Sequence, residues 1–114
     1  MPGSEFRRLI VYQRAAALAN DLHDIAVTWP RHELWSVGIQ LIRSADSIAA
    51  NIAEAQGRRQ PADRRRLLLI ARGSLYETEH WMLQAEARGL LPEGTATRVD
   101  EIGRALNGLL KRPV

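Results

Sequence analysis

The stretch PADRRRLLLIARGSLYETEHWMLQAEARGLLP, residues 61–92, decides the fold. Within it Leu68, Ala71, Leu75, Met82 and Ala85 recur at spacings of three, four and seven, which keeps them on one face of a helix. Pro61 suits a first helical turn, where its missing N–H is not needed, and Asp63 sets negative charge at the positive end of the helix dipole. Gly89 and Pro92 then stop the pattern. The spacing predicts one long helix over residues 62–88.

Outward from this segment, the prolines at 2, 30, 61, 92 and 113 divide the chain, and each of the four segments between them carries an apolar stripe of helical period. Val11, Ala15, Leu18, Leu22 and Ile25 predict a helix over residues 7–27, with Phe6 at its start. Leu34, Val37, Leu41, Ala45, Ile48 and Ile52 predict a second over 32–56, closed by Gly57 in the left-handed conformation. Thr95 reads as the N-cap of a fourth over 95–111, carrying Val99, Ile102, Leu106 and Leu109 and weakened by Gly103 and Gly108. Turns of a few residues force neighbours antiparallel, so the expected fold is all-α: a single-domain (residues 1–114), up-down-up-down four-helix bundle.

Composition agrees and excludes several chemistries. The chain has 114 residues, 46% hydrophobic and only 5% aromatic, with no cysteine. Disulfides, thiolate metal sites and cysteine nucleophiles are thereby ruled out. No window is apolar enough to cross a bilayer, and the opening Met1-Pro2-Gly3-Ser4-Glu5 lacks the charged-then-apolar pattern of an export signal. A cytoplasmic location, away from membranes, is expected.

The second helix holds a further stripe, Gln40, Ser44, Ser47, Asn51 and Glu54, within a narrow arc about 100° from the apolar one. Serine and asparagine are mediocre helix formers, so propensity does not explain it. One reading is a solvated face. The other is a helix contact, within the chain or between subunits, in which small polar groups hydrogen-bond. The third helix offers a counterpart in Leu67, Ile70, Ser74, Glu77 and Trp81, which would bring Glu54 and Glu77 face to face. Gln40, Ser47, Asn51, Glu54, Ser74 and Glu77 are therefore the expected polar network or interface.

Fifteen of the sixteen basic residues are arginine, and the net charge is +3. Arg58, Arg59, Arg64, Arg65, Arg66 and Arg72 gather around the second turn and the start of the third helix. Guanidinium groups neutralise phosphates and stack on unpaired bases, so these six are the candidate nucleic-acid-binding residues, with Arg7, Arg8 and Arg14 as additions. No zinc-finger or RNP motif is present; binding should follow shape and charge. Glu77-Thr78-Glu79-His80 contains a Glu-x-x-His, but a di-iron bundle needs two such motifs and two more glutamates, and His23 and His32 lack the matching glutamate. Neither a strained serine turn nor a glycine-rich phosphate loop occurs. No catalytic residue, metal or cofactor is expected. The rival to nucleic-acid binding is a protein-interaction module whose arginines pair with an acidic partner.

Two motifs carry a resemblance. Asn51-Ile52-Ala53-Glu54-Ala55-Gln56-Gly57-Arg58, preceded by Gln40 and Ser47-Ile48, is similar to the N-I-A-E-G-x-G-R signature of the bacterial four-helix-bundle proteins that include those encoded in 23S rRNA intervening sequences. Ala71-Arg72-Gly73-Ser74-Leu75-Tyr76-Glu77 resembles their second signature, A-x-G-S-L-x-E, and Phe6 to Ala15 their usual opening. Ala55 stands where the family usually has glycine. The resemblance implies a homopentamer without enzymatic activity. For a related branch, the accessory proteins of diversity-generating retroelements, it implies association with a reverse transcriptase and nucleic acid.

Overall fold

Val11, Ala15, Leu18 and Leu22 are buried along α1 (Ile10–Ala26), as the stripe requires. The computed structural model describes residues 4–112; the opening Met1-Pro2-Gly3 and the last two residues lie outside them. A 3-10 turn (Ser4–Arg8) precedes α1, and Leu9, in extended conformation, breaks the rod expected from residue 7. At the other end Ile25 is exposed and Ala26 takes the core position. The stripe drifts because 3.6 residues per turn do not divide its spacing evenly.

The second rod starts with α2 (Arg31–Glu33), passes through a π turn (Leu34–Gly38) and continues as α3 (Ile39–Gln56). Gly38 makes the turn possible. A Cβ there would lie 3.2 Å from Leu34 Cδ1 and 3.3 Å from the Glu33 carbonyl oxygen. Trp29, buried at the preceding corner, occupies the space beside it. Gly57 does not adopt the expected left-handed conformation: its φ is −86°. The helix ends instead by tightening, with Gly57 N–H donating to the Glu54 carbonyl and Arg58 N–H to that of Ala55. Gln60 is then extended, as the residue before a proline prefers.

The third rod is α4 (Pro61–Ala87), with Leu68, Ala71, Leu75, Met82 and Ala85 all buried. Here glycine does supply the stop. Gly89 has φ +72°, and Leu90 N–H reaches back to the Ala85 carbonyl at 2.8 Å, a Schellman-type closure. The connection ends in a 3-10 turn (Thr95–Arg98) leading into α5 (Val99–Leu110). Thr95 is not the cap. Its hydroxyl donates to the Pro92 carbonyl, and the Glu86 carboxylate of α4 accepts from the Gly94 and Ala96 N–H groups, at 2.9 and 2.7 Å.

Side-chain rungs establish the antiparallel order. Ser44 meets Thr78 and Ser47 meets Ser74 between α3 and α4; Arg65 meets Leu110 and Arg72 meets Asn107 between α4 and α5. Arg14 of α1 pairs with Glu101 of α5, and Arg98, at the turn leading into α5, with Asp21 of α1. In each pair of helices one number rises as the other falls. The result is an all-helical four-helix bundle of 44 × 25 × 20 Å. Alanines 15, 26, 45, 55, 71 and 85 are wholly buried, small side chains that let the helices approach closely.

Candidate nucleic-acid interface

Five of the six candidate arginines lie at one end of the bundle, where α3 closes and α4 begins, and Arg72 lies near the middle of α4. They divide by what they hold. Arg58 binds Glu54 one turn back at 2.6 Å, and this hydrogen bond, with the Glu54 charge, raises the guanidinium pKa above its ordinary value. Arg65 donates to the Leu110 carbonyl at 2.8 Å, satisfying an orphan acceptor where the α5 dipole is negative. Arg72 donates to Asn107 Oδ1 at 3.1 Å. Arg64 makes a long bond to the Arg58 carbonyl, 3.4 Å. Among the described residues Arg59 and Arg66 have no hydrogen-bond or ion-pair partner, and both are exposed.

A cleft of about 250 Å³ opens at this end between the start of α4 and the close of α5. Its walls are Pro61, Leu68 and Leu109, with Arg64, Arg65 and Arg112 around them. Of the additional arginines, Arg14 is tied to Glu101 on the opposite side, and Arg7 and Arg8 sit in the first 3-10 turn.

The polar stripe resolves into a short ladder. Ser47 and Ser74 hydroxyls are hydrogen-bonded at 2.8 Å across the α3–α4 seam, and Asn51 donates to the Ser47 carbonyl and hydroxyl at 2.8 and 3.0 Å. Below them Thr78, fully buried, donates to the Ser74 carbonyl at 2.7 Å, and its hydroxyl oxygen lies 3.0 Å from Ser44 Oγ. Gln40, Glu54 and Glu77 are exposed and stand outside the ladder. Glu54 and Glu77 do not face each other. With 44 level with 78 and 47 with 74, they are about 14 Å apart along the axis. Each carboxylate has a local partner instead, Arg58 for Glu54 and the Trp81 indole N–H, at 3.2 Å, for Glu77.

Thr78 is the ladder residue that sequence reasoning omits. The signal was the seven-residue interval between Leu75 and Met82: the missing rung of that apolar stripe falls on 78. His80 is exposed beside Trp81, and among the described residues no group of three or more His, Asp or Glu side chains converges as a metal site would need. No helix there is long and apolar enough to cross a membrane.

The outward face of α4 carries large apolar side chains at heptad spacing. Leu69, Tyr76 and Leu83 are 38%, 58% and 51% exposed, with Ile70 beside Leu69 and a bare Gly73 between. Among the described residues nothing covers them.

Comparison with known proteins places this architecture. No curated protein matches the chain. Among solved structures it is similar to a protein of unknown function from the S23 ribosomal protein family of Bacteroides thetaiotaomicron VPI-5482, with a TM-score of 0.79 and 24% identity over 90% of this chain and all of that one, a likeness of fold. The family model for the 23S rRNA-intervening sequence protein matches residues 7–111. Because that match takes in every helix of the bundle, the ladder and the arginine-rich end alike, this chain belongs to the 23S rRNA-intervening sequence protein family.

Proposed function

We propose that this protein is a non-enzymatic, self-associating helical bundle of the cytosol that binds single-stranded RNA through the arginine-rich end. The observation that carries the reading is the pair Arg59 and Arg66, exposed and without hydrogen-bond or ion-pair partners among the described residues, while neighbouring Arg58 is engaged by Glu54. Uncommitted guanidinium groups, one in the turn before α4 and one on its first turns, attract phosphate without first breaking an internal bond. Self-association is supported by the exposed Leu69, Tyr76 and Leu83 seam; copies joined there, five in the assembly that the family resemblance implies, repeat the arginine end and sum its field.

Mobility shift against single-stranded RNA at rising salt tests the reading. About four phosphate contacts per site give a log–log slope near −3, and Arg59→Ala with Arg66→Ala reduces it without altering the melting temperature. A flat salt response removes RNA. The second reading, a protein-interaction module whose arginines pair with acidic residues of a partner and which binds no nucleic acid, rests on the modest net charge of +3. A partner that stays bound after nuclease treatment favours it.

A further inference from the structure

We propose that the cleft between the start of α4 and the end of α5 receives the base of an unpaired nucleotide, whose flanking phosphates lie on the arginines around it. This rests on the RNA reading above and assigns a second kind of contact to the same end of the bundle. A surface that met only phosphate would need charge alone. Here Pro61, Leu68, Leu109 and Leu110 give the cleft an apolar part beside its polar and cationic lining, and no acidic residue lines it. A cleft that sets these apolar side chains beside Arg64, Arg65 and Arg112 complements a group with flat, weakly polar faces joined to negative charge. That is the chemistry of a nucleotide.

An aspartate or glutamate side chain would satisfy the rim and leave the hollow unfilled. At about 250 Å³ the cleft is smaller than the ~300–1,000 Å³ sites that enclose drug-sized ligands, which suits one ring system rather than a whole nucleotide. Arg65 is held by its bond to the Leu110 carbonyl at 2.8 Å, so its planar guanidinium is fixed before any ligand arrives and offers a face for stacking. Gln56, at the last turn of α3, lines the same cleft with a donor and an acceptor for a base edge.

The test is fluorescence anisotropy of the full chain with two labelled ligands, a short oligouridylate and a ribose-phosphate chain of equal length without bases. The base-bearing ligand should bind about tenfold more tightly, within the range that one stacked base contributes. Leu109→Gln should abolish that difference and leave affinity for the baseless chain unchanged. Equal affinity of the wild type for both ligands overturns the cleft proposal and leaves the arginine reading standing; binding of neither overturns the arginine reading itself. A preference that survives Leu109→Gln places the base elsewhere and overturns the proposal.

Photocrosslinking of wild-type protein to a 4-thiouridine oligomer decides the matter should that variant not fold. Crosslinks to residues around Gln56, Leu68 or Leu109 support the cleft, and crosslinks confined to other surfaces reject it. Competition by an oligoglutamate as strong as that by oligouridylate also rejects it, in favour of an acidic peptide.

Discussion

Thr78 and Ser44 meet across the α3–α4 seam with their hydroxyl oxygens 3.0 Å apart, both side chains buried among leucine, isoleucine and methionine. A hydroxyl at such a depth needs partners, and besides each other these two have backbone acceptors on their own helices, the Ser74 carbonyl for Thr78 and the Leu41 carbonyl for Ser44. Thr78→Val removes the hydroxyl at nearly constant shape and should destabilise the bundle by about 1–3 kcal/mol in urea denaturation. Adding Ser44→Ala should cost less than the two single changes summed, since both remove the same Thr78–Ser44 contact. Simple additivity would mean that the contact carries no energy.

Gly57 and Gly89 end consecutive long helices yet should respond oppositely to alanine. Gly57 is right-handed, and a Cβ there meets only the Glu54 carbonyl oxygen at 3.5 Å. Gly57→Ala should therefore stabilise by about 0.4–1 kcal/mol through the unfolded chain. Gly89→Ala, at φ +72°, should destabilise by about 1–2 kcal/mol. Thermal melts of the two variants check both signs.

Glu86 joins the end of α4 to the turn that starts α5 by accepting from two backbone N–H groups. Glu86→Ala leaves both donors without an acceptor and should lower stability by about 1.5–3 kcal/mol. Thr95→Ala should cost less, because Thr95 hydroxyl serves only the Pro92 carbonyl. Hydrogen exchange should show early loss of protection in α5 for Glu86→Ala alone.

The six candidate arginines should separate by stability. Arg65→Ala and Arg72→Ala each break a tie from α4 to α5 and should destabilise by about 1 kcal/mol. Arg59→Ala and Arg66→Ala should lie within about 0.5 kcal/mol of wild type, as exposed groups without partners do. Equal effects across the four would remove the distinction between structural and available guanidinium groups.

Tyr76→Glu and Leu83→Glu place charge on the exposed seam of α4 while leaving the core untouched. Light scattering coupled to size exclusion should report the loss of any assembly formed by the wild type, with far-UV circular dichroism unchanged. Assembly that persists in both variants would exclude this face as its interface.

Four helices were legible in the sequence because burial of an apolar stripe is a local consequence of spacing: Leu68, Ala71 and Leu75 must share a face wherever α4 packs. Helix ends were less so. Gly57 and Gly89 look alike in sequence, but whether the chain needs a left-handed residue depends on where the next helix must go. Thr95 offered a familiar cap, while Glu86, ten residues before Ala96, reached the same donors through space.

By itself the sequence determined the fold class, the helix number and the clustering of arginines, since each follows from neighbours along the chain. Only the tertiary structure decided that Glu54 and Glu77 stand apart, that Thr78 completes the ladder, and that Arg65 and Arg72 bind α5 while Arg59 and Arg66 remain available. The physical reason is register. A helical period states which side chains share a face, but the axial offset between two packed helices states which of them meet, and that offset is set by the core as a whole.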